Sequence, residues 1–239
     1  DSNYGIWYST PDIDIPDFTN TVTFENNVAN IAISGGTTYT HTWAANTYAV
    51  LGNIRIYNGT LTLSPGTVLK FTEGAYPYVD YYANLIAEGT ATQPITFTSL
   101  NGEAGGWQGF CFYDNSDYNS SSSLRYCVVE NAVTNLYCEY TNQPSVMYST
   151  FQNATDHNVY LYQSSISLEG CTLKNAPRGL SVDYYSQPTI VSTTFENHSE
   201  ACVRFYSSNN TSVTYANCTL KDSNYGIWYS TPDIDIPDF

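Results

Sequence analysis

The chain has 239 residues, of which only 12% are charged, yet seven Lys and Arg against 22 Asp and Glu leave a net charge of −15. Seven dispersed cations give no basic stripe to neutralise phosphates, so nucleic acid and anionic membranes are not expected partners. No apolar run approaches the roughly 18–20 residues of a membrane span. The abundance of Tyr (23) with polar small residues and a single Met describes a strand-rich extracellular or cell-surface protein rather than a helical cytosolic enzyme. The chain has no initiator Met and no signal peptide, so targeting information is expected outside this segment.

Asp1 to Phe18 recurs without a change at Asp222 to Phe239, an offset of 221 residues. Turns and strands require residue classes, not identity at every position, so identity implies recent copying and tandem units of that length. Within the copied segment, Asp12-Ile13-Asp14-Ile15-Pro16-Asp17, repeated at Asp233, Asp235 and Asp238, is the densest acidic motif. Strand alternation places Asp12 and Asp14 on one face and the two Ile on the other, a hard-oxygen set suited to calcium near a unit junction. The plainer reading is a solvated edge, with Pro11 and Pro16 discouraging stray pairing.

Further along, Gly52 to Phe71 alternates apolar residues between Asn-Gly and Pro-Gly turns, and Leu85 to Ser99 does likewise before Gly105-Gly-Trp107-Gln-Gly-Phe110. From Cys127 a 22-residue register sets in. Cys127-Val-Val-Glu-Asn131, Ser149-Thr-Phe-Gln-Asn153, Cys171-Thr-Leu-Lys-Asn175 and Thr193-Thr-Phe-Glu-Asn197 align, and Cys218-Thr-Leu-Lys-Asp222 follows after 25. Val22-Thr-Phe-Glu-Asn26 belongs to the same series. Tyr140, Tyr162, Tyr184 and Tyr206 lie nine residues after the four Asn.

A period of 22 fits one coil of a parallel β-helix, an all-β solenoid, and no stretch shows a helical 3.6-residue stripe. Equivalent residues of stacked coils lie about 4.8 Å apart. Asn131, Asn153, Asn175, Asn197 and Asp222 are therefore expected to form a ladder at a turn, and the four Tyr a stacked column. Cys127, Cys171 and Cys218 share one slot two coils apart, roughly 9–10 Å, beyond the ~7 Å limit for a disulfide. They are expected as buried thiols that serve as small core residues, alternating with Ser149 and Thr193. Pairing among Cys111, Cys138 and Cys202 stays open.

These segments, with Ser121 to Ala132 (SSSLRYCVVENA), resemble the right-handed parallel β-helix modules of prokaryotic surface proteins in the pectate-lyase-like superfamily, over roughly Trp43 to Phe205. The resemblance implies a right-handed, single-stranded parallel β-helix with ~22-residue coils. It also implies an N-terminal cap at about residues 37–50, regular coils over about 51–239, and residues 1–36 as closing coils of a preceding unit. For function it is open, because the superfamily holds lyases, glycosidases, adhesins and inert stalks.

Several strings that resemble its enzymes are missing: clustered Asp beside a basic proton acceptor, Asp-Asp, Gly-His-Gly and Arg-x-Lys. Arg55, Arg125, Arg178 and Arg204 fall on different coils, with no expected carboxylate cluster beside a repeated position. His157 and His198, four and one residues after a ladder Asn, are expected on solvated turns, and His41 stands alone. No catalytic residue is assigned and no enzyme is expected. Seven Asn-x-Ser/Thr sites occur. Asn58, Asn119, Asn209, Asn210 and Asn217 are candidate N-glycosylation sites, whereas Asn153 and Asn197 belong to the ladder and are expected bare.

The function expected is a filament, stalk or surface fibre of 221-residue units joined head to tail with copies of themselves, covalently or by assembly. An adhesin that stacks surface glycans on Tyr is the alternative, and a polysaccharide lyase or glycosidase relative the third. No cofactor beyond calcium is expected.

Overall fold

The computed structural model describes residues 3–9, 12–18, 22–80, 82–113, 121–206 and 213–230. Among them every regular element is a β-strand and every pairing is parallel, arranged in three rows that form the faces of a solenoid. Face A runs from Tyr4–Tyr8 through Ala29–Ile33, Thr47–Val50, Val68–Phe71, Ile95–Ser99, Cys127–Glu130 and Thr150–Gln152. It continues through the first halves of two long strands, Thr172–Asp183 and Thr194–Phe205, to Thr219–Lys221.

Face B stacks Gly36–Thr38, Ile54–Ile56, Tyr78–Val79, Phe110–Tyr113, Thr134–Glu139 and His157–Tyr162. The second halves of the long strands and then Tyr225–Tyr229 complete it. Face C stacks eight strands from His41–Trp43 to Thr214–Ala216. The chain visits A, B and C in turn, giving about nine turns of about 23 residues.

Strand alternation builds the core. Inward columns thread the axis, among them Leu69, Phe97, Val129, Phe151, Leu173 and Phe195 on face A, with Phe112, Cys138, Leu161, Val182 and Phe205 on face B. On face C the column is Trp43, Leu63, Ala87, Leu124, Val146, Leu168 and Ile190. All are buried in one continuous cluster. Burying a Leu or Phe contributes about 1.5–3 kcal/mol, so each coil brings its own share of the core.

Single left-handed residues turn the corners. Between A and B they are Asn131, Asn153, Asn175, Asn197 and Asp222, with φ of 63, 56, 54, 59 and 53°, while Asn26, at 57°, precedes the face A strand Ala29–Ile33. Asn and Asp enter this region more readily than other non-glycine residues because their short polar side chains bond locally. A second column at the C-to-A corner, Tyr126, Tyr148, Gly170, Ser192 and Asn217, also has positive φ (47 to 62°).

Three expectations change. Residues 37–50, expected as an N-terminal cap, are built as a coil: Gly36–Thr38, His41–Trp43 and Thr47–Val50 are its strands, with Ala29–Ile33 paired beneath it. The 22-residue register breaks where Ile86 pairs with Ser123, because residues between 89 and 121 lengthen one coil to 37 residues. Cys218 is only half-buried, whereas Cys127 and Cys171 are 1% and 2% exposed.

Candidate functional site

The ladder is an amide chain in its centre. Asn175 Nδ2 donates to Asn153 Oδ1 at 3.2 Å, and Asn197 Nδ2 donates to Asn175 Oδ1 at 2.8 Å. Asn131 leaves the chain: its Nδ2 donates to Thr98 Oγ1 at 3.2 Å. Asp222 takes the same backbone conformation but has no amide to donate. The Tyr column lies outside the core. Tyr113, Tyr140, Tyr162 and Tyr184 meet in succession at 6.2, 5.6 and 5.2 Å. Tyr206 does not join it, and folds instead over His157 and Tyr160 at 6.3 and 6.1 Å.

The thiol slot has a second purpose. Ser149 Oγ accepts from Cys127 N at 3.0 Å while donating to Met147 O at 2.9 Å, and Thr193 Oγ1 does the same for Cys171 N and Val191 O at 3.3 and 3.0 Å. Each small polar side chain thus joins the corner of its own coil to the coil below. All six cysteines are free, including Cys111, Cys138 and Cys202. Burial pushes the Cys171 thiol up to about 11 and the Cys111 thiol up to about 11.

A feature that the fixed 22-residue spacing does not reveal is an outward column on face B. Arg55, Tyr78, Cys111, Tyr137, Tyr160, Ser181, Arg204 and Trp228 occupy one register position, one per coil. Tyr137 stacks on Tyr160 at 5.3 Å, and His157 on Tyr160 at 5.0 Å. The Arg204 guanidinium lies 4.2 Å from the Tyr206 ring centre and 4.3 Å from that of Trp228. Arg55 lies 4.2 Å from the Tyr57 ring centre and pairs with Asp80 through Nε at 2.7 Å.

Beside the column, Arg178 is held between carboxylates, contrary to the expectation that no Arg has such neighbours. Its Nε and Nη2 donate to Glu200 at 2.7 and 3.0 Å, and its Nη1 donates to Asp156. Arg204 Nη1 also donates to Glu200, at 3.1 Å. A fork bound to both oxygens of one carboxylate is directional as well as strong. Tyr76, Gln108, Thr134, Tyr137, Asp156, His157 and Tyr160 line an open groove of about 470 Å³ over this region.

The histidines are not solvated turn residues. His157 is 6% and His198 2% exposed. Burial, above all, lowers His157 to about 4; Asp156, 3.1 Å away, opposes this, while Arg178 and Arg204 add to it. His198 places Nδ1 3.0 Å from Ala176 O and Nε2 3.1 Å from Leu173 O, filling the space beside Gly179, where a Cβ would meet His198 Nε2 at 2.7 Å. Burial lowers its pKa as well, against those two carbonyl contacts.

In the first acidic motif Ile13 and Ile15 are buried, and Asp12, Asp14 and Asp17 exposed. Asp14 Oδ1 lies 3.2 Å from Nδ1 of the half-buried His41. Asp233, Asp235 and Asp238 lie outside the described residues, as do Asn119, Asn209 and Asn210. Asn58 and Asn217 are exposed. Among the described residues no three His, Cys, Asp or Glu converge as a metal set. No helix among them is long and apolar enough to cross a membrane.

Chemically, the face B cluster offers flat aromatic rings and fixed guanidinium donors. Its carboxylates Asp156 and Glu200 are both engaged by Arg178. It is a surface suited to stacking and hydrogen bonding, with no nucleophile placed beside a base.

Comparison with curated proteins and with solved structures gave no match. A family model described as right-handed beta helix region matches residues 84–234, more than half of the chain and most of the stacked coils. With three continuous parallel faces wound around one core, the chain belongs to the right-handed β-helix family.

Proposed function

We propose that the chain is a rigid extracellular unit of a filament, stalk or surface fibre, in which 221-residue β-helical units follow one another along a common axis. The observation that carries this reading is the copied strand. Tyr4–Tyr8 and the identical Tyr225–Tyr229 are both strands of the stack, so this part of the duplicated segment is built into a coil at each end. An end-to-end stack of parallel coils also covers strand edges that would otherwise invite irregular association. Electron microscopy of a chain of two periods tests it. Stiff rods with a repeat of about 45 Å per unit support the fibre; separate, flexibly tethered particles rule it out.

A second reading, an adhesin that binds carbohydrate, is favoured by the groove over Tyr137, Tyr160 and His157, whose stacked rings match the flat faces of sugars. A glycan array probed with the wild-type chain and with the Tyr137→Ala/Tyr160→Ala double variant decides it. Retention that the variant loses supports the adhesin. An array without retention, or retention unaffected by the variant, removes it.

A further inference from the structure

We infer that successive units join by continuing the solenoid through the copied strand, and that each unit is thereby turned by one face relative to the one before. The inference rests on the fibre reading and specifies its joint.

The two copies of the strand show opposite edges of one joint. Tyr225–Tyr229 pairs with the coil before it, as Ala201↔Tyr225, Val203↔Ile227, Arg204↔Trp228 and Phe205↔Tyr229. Tyr4–Tyr8 pairs with the coil after it, as Tyr4↔Ala29, Ile6↔Ile31, Trp7↔Ala32 and Tyr8↔Ile33. The same alternation holds in both copies: Tyr8 and Tyr229 both pack against the core, and Trp7 and Trp228 lie on the alternate face of the strand. Superposing the copies gives a continuous three-strand stack, with Ala201–Phe205 below and the Ala29–Ile33 segment of the next unit above. The occupant of the free position is thus another unit of the same sequence.

The copies nevertheless stand on different faces. Nine parallel pairings lead up face A from Tyr4–Tyr8 to Thr219–Lys221. The chain then turns the corner at Asp222 and enters Tyr225–Tyr229 on face B. The copied strand recurs after nine turns and one face, not after a whole number of turns.

The first coil shows the same offset independently. Ala29–Ile33 follows Asn26 as face B strands follow Asn131 and Asn153, yet it stacks beneath Thr47–Val50 on face A. Asp12, one strand further along the chain than Tyr4–Tyr8, bridges to Thr37 on face B. Asp12 thus follows Tyr4–Tyr8 in the ordinary order of faces.

Face B of one unit therefore runs into face A of the next. The outward column ending in Arg204 and Trp228 continues as Ala32, Ala49 and Lys70, the register partners above Trp7. The aromatic column is not a straight track along the fibre; it steps around the axis, roughly 120° and about 45 Å per unit.

Cryo-electron microscopy of a chain of four periods reads this directly. The expected result is a rod whose units are related by a rotation of roughly 120°, in the sense of chain winding, with a rise of about 45 Å. Rods whose units stack in register, or turn the other way, overturn the joint while leaving the fibre reading intact. Absence of rods overturns both. A second chain carries Ile→Pro at the position of Ile227 in the linking strands, removing a hydrogen bond from the ladder of the linking strand itself. Its units are expected to keep their far-ultraviolet circular dichroism but lose the fixed rotation; a fixed rotation retained in that variant counts against a strand-paired joint.

Discussion

Asn175 shows how much one side chain does at a corner of this fold. Its backbone is left-handed (φ 54°), and its amide both donates to Asn153 and accepts from Asn197. Asn175→Ala loses both bonds and adds left-handed strain of about 1–2 kcal/mol, whereas Asn175→Gly loses only the bonds. Urea unfolding should therefore rank the variants wild type, Gly, Ala, and an Ala variant as stable as Gly would remove the strain argument. The ladder could be read in advance because one residue type must satisfy two demands, a strained backbone and an axial hydrogen bond. Its end could not: Asn131 bonds to Thr98 on the face A strand below, Ile95–Ser99, which carries no ladder Asn. The histidines were misread because position after Asn says nothing about a fold-back. Since the native pKa of His157 lies near 4, below its ordinary value of about 6.5, the unfolded chain takes up the proton first as pH falls. The neutral native form thus loses stability between about pH 6.5 and 4, with no contribution above that window, by up to roughly 3 kcal/mol. His157→Gln should flatten this part of the pH profile in urea titrations at pH 7.0 and 4.5; an unchanged profile would mean that the imidazole is not protected.

A column is the natural element here, and the slot of Cys127, Ser149, Cys171, Thr193 and Cys218 illustrates why chemistry can vary inside it. What the slot requires is a small group that bonds the carbonyl two residues earlier; Cys127 Sγ meets Arg125 O at 3.5 Å and Ser149 Oγ meets Met147 O at 2.9 Å. Ser149→Ala leaves the buried Cys127 N–H without its acceptor and should cost about 1–3 kcal/mol in chemical denaturation, with Ser149→Cys closer to wild type. Equal losses for the two variants would show that volume alone matters. This column was legible because its spacing stays at 22 residues from Cys127 to Thr193. The face B column was not, because the steps from Tyr137 to Tyr160, Ser181 and Arg204 are uneven. The corner after each ladder Asn varies by one residue, and the pairing of the two long strands shifts between Ala176 and Arg178. Strand pairing restores a register that counting along the sequence loses.

At the scale of the whole molecule, coils contact chiefly their neighbours, so stability is close to a sum along one axis and the last coils open first. Cys218 on the last face A coil is half-buried, while the other five thiols are buried. Ellman's reagent at neutral pH should titrate one thiol rapidly and five only slowly, with Cys218→Ser removing the fast phase; a uniform rate would indicate that the stack opens as one unit. The class of fold was plain from period and composition. The offset between the two ends was not, because identical sequence conceals that its copies stand on different faces. That offset ties orientation to number. In the proposed fibre, recombination between identical segments would add or delete whole units without altering any joint, and each event would turn everything beyond it by one face. The direction in which the far tip presents its surface would then depend on the count of units modulo three, so lineages differing by three copies would point the same way and those differing by one would not.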